Sequence, residues 1–334
     1  MRRIHVIAAV IRDVQGRILI AKRPDHVHLG GLWEFPGGKL ENDEERFDGL
    51  ARELREELGI SVTEARPLLD IHHDYPDKSV RLDVWLVTGF EGEAHGAEGQ
   101  PVRWVTASDL DEYEFPAANA PIVRAAQLPE MYLITPDVAD EAELFAGLRR
   151  AREAGLRMVQ LRQTGLDGQA YGALAERVVA EFGGDFLWVL KGDVAPAFAG
   201  VGWHLTSRQL RQMWEHGGPG LEGRVPPRSF GSPDKSGRDG TRPSIERGIL
   251  AASCHNAEEL AMAAEMGVDF VTLSPVLPTA THPDAQPLGW ERASELIRTV
   301  NMPVYLLGGL GPQELTQAIE AGAQGVAAIR GLWD

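Results

Sequence analysis

From Tyr132 onward, short apolar runs alternate with segments of helical periodicity, and this alternation restricts the fold more than any other feature of the chain. The runs have the length of β-strands, and eight follow one another: YLIT, MVQLR, FLWVL, VGWHL, GILAAS, FVTLS, VYLLGG and GVAAI. Parallel strands require crossover connections, which are usually helices. The pattern therefore predicts a closed parallel (β/α)8 barrel of the TIM type over residues 132–334.

Three parts of this pattern depart from eight complete units. The stretch between FLWVL and VGWHL is too short for a full helix. Residues 217–247 are rich in Gly, Pro, Ser and Arg and have almost no apolar side chains, so we expect a disordered insertion between the fourth and fifth units. Asp334 follows soon after the eighth strand, so we expect the last helix to be missing or vestigial.

Residues 1–128 have a different pattern, which predicts an α+β domain with a mixed sheet between helices. The strand-like runs are IHVIAAVIR, RILIAKR, VRLDVWLVTGF and VRWV. One strongly patterned helix is predicted near residues 45–58, and a short final helix opens at Asn119. A chain of 334 residues is too long for one ordinary core, so we expect two domains joined by a linker at residues 129–131.

The charge and the cysteine content exclude several classes of protein. The formal net charge is −16, so a nucleic-acid polymer, whose phosphates require a basic surface, is not an expected partner. A single nucleotide can still bind if a divalent cation bridges the two sets of negative charge. The N-terminal apolar run ends at Arg12, too soon to span a membrane, so we expect no membrane partner. With one cysteine, Cys254, an internal disulfide and a thiolate metal cage are excluded, which favours the reducing cytoplasm.

The predicted helix near residues 45–58 carries a concentrated acidic face. Glu53, Glu56 and Glu57 lie at i, i+3 and i+4, so their carboxylates share one side and repel one another. The opposite side carries apolar residues that can anchor the helix on the sheet. Such a stripe beside a Gly-Gly loop suits a hard cation such as Mg²⁺, which prefers oxygen ligands and substrate phosphates. The alternative is an ordinary solvated helix face.

The spacing of the residues around this helix decides between the two interpretations. The segment resembles the Nudix box at every position: Gly38, five residues, Glu44, seven residues, Arg52-Glu53-Leu54, one residue, Glu56-Glu57, one residue, Gly59 and Ile60. The resemblance implies a pyrophosphohydrolase with Mg²⁺, or Mn²⁺ as the alternative. It assigns the metal to the carboxylates of Glu53, Glu56 and Glu57 and to the Gly37 carbonyl. Glu53, supported by Arg52 and Glu44, is the implied catalytic residue, with Arg52 holding Glu53 in place.

The whole of residues 1–128 resembles the MutT-type 8-oxo-dGTP diphosphatases, for example in LWEFPGGKLE, HDYPDKSVRLDVWLV and FPAANAPIV. The resemblance implies hydrolysis of 8-oxo-dGTP to 8-oxo-dGMP and pyrophosphate, which sanitises the nucleotide pool and avoids mutation during DNA replication. It adds Glu98 as an acidic residue near the metals. It also implies a set of nucleotide contacts: Arg23, His28, Phe35, Tyr75, Lys78 and Asn119.

Several of these positions have a structural alternative. An amide such as Asn119 offers a donor and an acceptor to a purine edge, but Asn is also a good helix N-cap. Phe35 could be a core residue, Arg23 an exposed charge at a strand end, and His28 and Glu98 solvated loop residues. Tyr75 and Lys78 stand where the family pattern has Phe and Arg, and Lys78 loses the bidentate geometry of Arg.

Residues 131–334 resemble thiamine-phosphate synthase and its relative TenI, in VQLR, WHL, SCH, SPVLPTATHP and LLGGLGP. This sequence departs from the synthase pattern at positions where the synthase has acidic metal ligands. Lys191-Gly192-Asp193 stands where the synthase has an Asn-Asp pair, and Thr206 to Gln209 replaces a segment with another acid. A TenI-like function fits better, with His255 at a position implied in proton transfer. The resemblance places a thiamine or thiazole phosphate at Gly308, Gly309 and Arg330, where such barrels bind phosphate.

Three functional hypotheses follow. The first is an 8-oxo-dGTP diphosphatase with an auxiliary or TenI-like barrel. The second keeps the same chemistry but changes the substrate to a thiamine-related pyrophosphate, which would link the two halves. The third makes the barrel a non-catalytic module that binds a ligand and regulates the hydrolase.

Overall fold

The computed structural model describes residues 2–27, 29–74, 78–216, 248–279 and 284–333. The candidate residues His28 and Tyr75, the side chain of Lys78 and the expected insertion at 217–247 lie outside the described part. The chain forms two compact units. The first contains Met1–Leu128 with the short segments Val300–Pro303 and Ile319–Gln324, and the second contains the remainder.

The first unit is built on a mixed six-stranded sheet. Its strands are β1 (Arg2–Arg12), β2 (Ile18–Lys22), β3 (Trp33–Glu34), β4 (Ser61–Asp74), β5 (Lys78–Glu91) and β6 (Val102–Val105). The order is β3-β2-β1-β5-β4, with β6 paired to β2. Strand β1 runs parallel to β5, whereas the other pairs are antiparallel.

A helix packs on each face of this sheet, as the sequence predicts. Alternate residues of β1 point to opposite faces, so Ile7 joins the apolar cluster under α1 (Arg46–Leu58), whereas Ala8 joins the cluster under α2 (Ala120–Gln127). Leu50, Leu54 and Leu58 form the buried side of α1. The helix ends at Gly59, whose left-handed backbone (φ +69°) allows it to cap the last carbonyls.

Strand β4 is absent from the strands that hydrophobic periodicity predicts. It is a 14-residue edge strand, and its pairing with β5 shifts register between Val62 and Glu64, between Glu64 and Ala65, and between Pro67 and Leu69. Each shift breaks the two-residue alternation on which sequence recognition of a strand depends. Proline is tolerated within it because the strand lies at the edge of the sheet.

The second unit is a closed barrel of eight parallel strands, which confirms the predicted fold. The strands are β7 (Met131–Ile134), β8 (Met158–Leu161), β9 (Leu187–Leu190), β10 (Gly202–Leu205), β11 (Leu250–Cys254), β12 (Phe270–Leu273), β13 (Val304–Leu307) and β14 (Gly325–Ala328). The outer helices are α3 (Glu141–Glu153), α4 (Gly168–Phe182), α5 (Ser207–Glu215), α6 (Ala257–Glu265), α7 (Gly289–Ile297), α8 (Leu315–Glu320) and α9 (Arg330–Trp333).

Side-chain caps fix where several of these helices begin. Asp140, Asp167, Thr206 and Asn256 each accept a hydrogen bond from the backbone three residues later. Between β9 and β10 the chain forms no helix, and α9 has only four residues. Both shortened units agree with the sequence prediction. In the described residues, no helix has the length and apolarity that a membrane crossing requires.

The barrel interior contains a buried polar network. The Tyr132 hydroxyl lies 3.1 Å from Nδ1 of His204 and accepts a hydrogen bond from the Gln160 amide at 3.0 Å. Nε2 of His204 lies 3.0 Å from the Ser253 hydroxyl. Burial, together with the charge of Lys191, lowers the pKa of His204 to about 3. His204 is therefore a neutral member of the network at neutral pH.

Candidate functional site

The Gly37–Gly38 loop lies against β1. The backbone amides of Ile7 and Ala9 donate to the carbonyls of Gly38 and Pro36, both at 2.8 Å. Gly37 lies between these two residues, and a Cβ built on it would lie 2.2 Å from the Ile7 carbonyl oxygen. Its φ of +141° is also one that L residues rarely adopt. Glycine is thus required at position 37 by both the backbone conformation and the close approach to β1.

Glu53 lies directly above Gly38. A Cβ on Gly38 would be 2.2 Å from the Glu53 Oε2 atom, so the missing side chain creates the space that the carboxylate fills. The Arg52 guanidinium donates to Glu53 at 2.9 Å, to both Glu44 oxygens at 2.8 and 2.9 Å, and to the Lys39 carbonyl at 3.2 Å. Arg52 therefore ties the helix to the preceding loop and fixes the position of the Glu53 carboxylate.

The electrostatic consequence of this arrangement appears at Glu44, which lies in the loop just before α1. The hydrogen bonds from Arg52 and from the Glu41 amide lower the pKa of the Glu44 carboxyl to about 2. The hydrogen bonds of Arg52 to Glu44 and Glu53 raise the pKa of Arg52 above its already high value. Both groups stay charged at any physiological pH, so the lock on Glu53 does not depend on pH in that range.

Glu57 lies on the other side of the glycine loop. Its carboxylate accepts a hydrogen bond from the Gly37 amide at 3.0 Å. Burial raises the pKa of Glu57 to about 7, and the charges of Glu34, Glu53 and Glu98 add to this effect, against the lowering effect of the Gly37 amide. Carboxylates that repel one another in a half-buried site form an environment in which a bound cation is stabilising.

The carboxylates of Glu53, Glu56 and Glu57 are ligands that fit a hard divalent cation, although each of them already contacts another group of the protein. Arg52 and the Gly37 amide engage Glu53 and Glu57, and Glu56 is exposed, 3.5 Å from Arg52. Over the described ranges, no three His, Cys, Asp or Glu side chains converge closely enough to hold a metal ion. Carboxylate oxygens around the Gly37 loop are nevertheless the ligand type that Mg²⁺ and Mn²⁺ prefer.

Glu98 belongs to a loop fastened to the end of α1. The side chain of Gln100 donates to the Glu57 carbonyl at 2.9 Å and accepts from the Glu98 amide at 3.0 Å. The Ala97 amide donates to the same Glu57 carbonyl at 2.9 Å. The exposed Glu98 is thereby kept near Glu57, and Gln100 is a positioning residue that the motif does not reveal.

Arg23 and Glu34 form an ion pair between β2 and β3. Burial raises the pKa of Glu34, and Arg23 opposes this shift. The negative charge of Glu34 in turn helps to raise the pKa of Glu57. Glu34 is absent from the sequence-based candidates. Its signal is a lone charge inside the apolar segment LWEF, immediately before the glycine loop.

The predicted nucleotide contacts Phe35 and Asn119 have different surroundings. Phe35 is 3% exposed and stacks on Phe115 with ring centroids 5.3 Å apart, so its side chain belongs to the core. Asn119 precedes α2 and is half-buried, but its side chain makes no capping hydrogen bond. Asn119 therefore occupies the N-cap position of α2 without capping the helix through its side chain, which leaves its amide available to a ligand. The Phe35–Phe115 stack connects the Gly37 loop to the segment that carries Asn119.

The candidate residues of the barrel lie at the carboxyl ends of its strands. Nδ1 of His255 lies 2.8 Å from the Ser274 carbonyl oxygen, while its backbone amide donates to Glu259 at 2.8 Å. Gly308 and Gly309 have φ values of +104° and +68°, and a Cβ on Gly308 would lie 2.8 Å from Pro275. The loop after β13 therefore needs both glycines to pack on the loop that follows Ser274.

Arg330 begins α9 immediately after β14 and is exposed. The next residue, Gly331, packs on Gly311, where a Cβ built on Gly331 would lie 2.9 Å from the Gly311 Cα atom. The loops after β13 and β14 are thus neighbours. Within the described residues, this mouth lacks a cluster of acidic side chains that could hold a metal.

Comparison with known proteins identifies the family of the first unit. Residues 7–125 match the sequence profile of the family described as NUDIX domain. The 8-oxo-dGTP diphosphatase of Escherichia coli (strain K12) is 35% identical over 123 residues, covering 37% of this chain and 95% of that protein. The chain belongs to the Nudix family. The CTP pyrophosphohydrolase of the same strain is 37% identical over 125 residues, covering 37% of this chain and 92% of that protein.

The barrel that follows the Nudix domain belongs to a second family. Residues 238–332 match the profile described as thiamine monophosphate synthase. The Aquifex aeolicus (strain VF5) protein named "Putative thiamine-phosphate synthase 2" is 31% identical over 206 residues, covering 61% of this chain and 97% of that protein. The chain therefore joins a MutT-type Nudix domain to a thiamine-phosphate synthase/TenI-like barrel.

Proposed function

We propose that the Nudix domain hydrolyses 8-oxo-dGTP to 8-oxo-dGMP and pyrophosphate and so removes an oxidised precursor of DNA synthesis. The observation that carries this proposal is the placement of Glu53. Its carboxylate fills the space next to Gly38 and accepts a hydrogen bond from Arg52. Glu57 of the same helix contacts the neighbouring residue of this glycine loop, Gly37. Relatives named 8-oxo-dGTP diphosphatase support the choice of substrate.

In this proposal Glu53, Glu56, Glu57, Glu98 and the Gly37 carbonyl hold Mg²⁺, with Mn²⁺ as the alternative. The bound cation would neutralise charge on the phosphate oxygens during in-line displacement.

Glu53 accepts the proton of the attacking water as the new phosphorus–oxygen bond forms and a phosphorus–oxygen bond of the bridge between the α- and β-phosphates breaks. Arg52 keeps that carboxylate oriented through its direct hydrogen bond. Glu44 acts on the reaction only through Arg52, because both of its oxygens are bonded to that guanidinium.

Asn119 provides the recognition of the oxidised base. Its amide makes no helix cap, so it can both donate to and accept from the edge of a purine without breaking a bond in the protein. Arg23 and Glu34 form an ion pair that can serve as one wall of the base-binding site. The Phe35 side chain is buried in the core behind this wall. A direct contact between Phe35 and the nucleotide would therefore involve the backbone atoms of Phe35.

For the barrel we propose an auxiliary, TenI-like role in binding a thiamine or thiazole phosphate. The paired glycine loops at Gly308 and Gly331 support phosphate binding, with Arg330 at their edge. His255 is the candidate for proton transfer, since Ser274 holds its Nδ1 side and leaves Nε2 for a ligand.

The test is a comparison of kcat/KM for 8-oxo-dGTP, dGTP, CTP and thiamine diphosphate with Mg²⁺. We expect 8-oxo-dGTP to be preferred over dGTP by about 10- to 100-fold, the worth of one or two hydrogen bonds to the base. Asn119→Ala should remove most of that preference while leaving dGTP hydrolysis nearly unchanged.

Two variants of α1 control this experiment. Glu53→Gln should lower kcat by about 10²- to 10⁴-fold, the usual contribution of a general base. Glu45→Gln removes an exposed carboxylate at the start of the same helix, outside the proposed site, and should behave as wild type. Equal rates for 8-oxo-dGTP and dGTP, with faster turnover of CTP or thiamine diphosphate, would transfer the assignment to that other substrate.

A further inference from the structure

A cavity lies on the outer side of the barrel, where the connection between β9 and β10 forms no helix. Pro196 lies in the middle of this connection, and proline lacks the amide that a helix interior requires. The Trp203 side chain points outward here, because its neighbour His204 belongs to the interior network and side chains alternate along a strand. In a complete (β/α) unit a helix would cover this surface. Instead, a cavity of about 360 Å³ remains between the connection, Trp203 and α5.

Two walls of this cavity are fixed by one backbone carbonyl. The Gly192 carbonyl accepts a hydrogen bond from the Trp203 Nε1 atom at 3.0 Å and from the Gln209 side chain at 2.8 Å. Gln209 is also held by the capping box that it forms with Thr206 at the start of α5. Both side chains therefore have a set position before any ligand arrives, which lowers the entropic cost of binding.

The remaining polar groups of the lining are Asp193, Gln212 and His216, and they offer mainly acceptors. Asp193 is exposed, and over the described ranges its carboxylate makes no hydrogen bond or ion pair. Nδ1 of His216 donates to the Gln212 carbonyl at 2.7 Å, so Nε2 of the neutral ring is left as an acceptor. No Lys or Arg side chain of the described residues lines the cavity. The lining therefore favours a ligand that carries N–H donors and a positive charge.

The apolar part of the lining suits a flat ring. An indole is the best aromatic partner for a cation, and the thioether of Met213 adapts to the shape of a neighbouring group. Ligand pockets usually span about 300–1,000 Å³, so a cavity of about 360 Å³ fits one ring with a small substituent. A phosphate ester is disfavoured, because the unpaired charge of Asp193 would repel it.

We propose that this cavity binds a small organic cation with a flat apolar ring. The N–H groups of the ligand donate to the Asp193 carboxylate and to Nε2 of His216, while its ring contacts Trp203 and Met213. The cavity is separate from the barrel mouth, because Trp203 points outward whereas His204 points inward. The proposal is also independent of the function proposed for the Nudix domain, since every lining residue belongs to the barrel unit.

The test compares three probes that share one ring and differ in charge: benzamidinium, benzamide and benzoate. Full-length protein labelled with carbon-13 at its methionine methyl groups is titrated in excess Mg²⁺, which competes for the Nudix carboxylates. The chain has seven methionines, and the Met213 signal is identified by its loss in Met213→Leu. Benzamidinium should shift this signal in a saturable way. Benzamide should bind about tenfold more weakly, because it loses both the ion pair and the cation–π contact, and benzoate more weakly still.

Substitutions at exposed positions separate charge recognition from folding. Asp193→Asn should weaken benzamidinium binding at least about threefold, and Gln212→Arg, which brings a positive charge into the lining, should weaken it as well. Glu215→Gln removes an exposed carboxylate of α5 outside the lining and should bind as wild type. All three should keep the wild-type Tm and the wild-type rate of 8-oxo-dGTP hydrolysis, so failure of this inference is distinguishable from failure of the proposed Nudix function. An unmoved Met213 signal, equal affinities for the three probes, or a loss below about threefold in Asp193→Asn would each overturn the proposal.

Discussion

Replacement of Arg52 by lysine tests whether the position of Glu53 determines the rate. Arg52 donates four hydrogen bonds, two to Glu44, one to Glu53 and one to the Lys39 carbonyl. A lysine ammonium keeps the charge but cannot present a planar fork to Glu44 while also bonding Glu53. Loss of such a supporting contact to a metal ligand typically costs about 10- to 100-fold in affinity or activity. That loss corresponds to about 1.4–2.7 kcal/mol of transition-state stabilisation.

The effect on folding should be much smaller than the effect on catalysis. The Arg52 side chain is 25% exposed, and ion pairs in contact with solvent contribute about 0–1 kcal/mol to stability. The assay is kcat with saturating 8-oxo-dGTP and Mg²⁺, together with urea unfolding of the same protein. Arg55→Lys, on the exposed side of the same helix, is the matched control. A kcat within twofold of wild type, or a stability loss large enough to explain the rate, would refute the reasoning.

Two further predictions concern the glycine loop and the barrel interior. Gly38→Ala should lower kcat at least about tenfold with little change in Tm, because the new Cβ displaces the Glu53 carboxylate. Gly37→Ala should also destabilise the fold, because its Cβ would collide with the backbone of β1. His204 has a folded pKa of about 3 and an unfolded value near 6.5, so the unfolded state binds the extra proton in that window and stability falls as pH falls. Below pH 6.5 the free energy of unfolding of wild type should fall relative to that of His204→Gln by about 1.4 kcal/mol per pH unit, because the opposite contribution of Glu57, whose pKa is raised, is present in both proteins. An equal pH dependence of the two proteins would contradict this assignment.

Features that depend on spacing along the chain could be predicted from the sequence. The regular spacing from Gly38 to Ile60 predicts a loop and an acidic helix, and α1 covers Arg46–Leu58. The eight apolar runs predict a closed barrel, and the short connection between β9 and β10 is visible as a missing helix. In each case the signal is local, because one periodic segment forms one element.

Features that depend on pairing between distant residues could not be predicted in this way. The cavity beside Trp203 depends on how α5 packs against the connection between β9 and β10. The Arg23–Glu34 ion pair requires the pairing of β2 with β3. The contact between Phe35 and Phe115, which buries the Phe35 side chain, joins residues 80 positions apart in the chain. Strand β4 was hidden for a related reason, since its register shifts remove the alternation that marks a strand.

The most direct test of the central claim is the identity of the products released by the Nudix domain. Phosphorus-31 NMR of a reaction containing full-length protein, 8-oxo-dGTP and Mg²⁺ should show pyrophosphate and the nucleoside monophosphate in equal amounts, with both formed at least about 100-fold more slowly by Glu53→Gln. Inorganic phosphate with a nucleoside diphosphate, or undiminished turnover by Glu53→Gln, would contradict the proposed site and its chemistry.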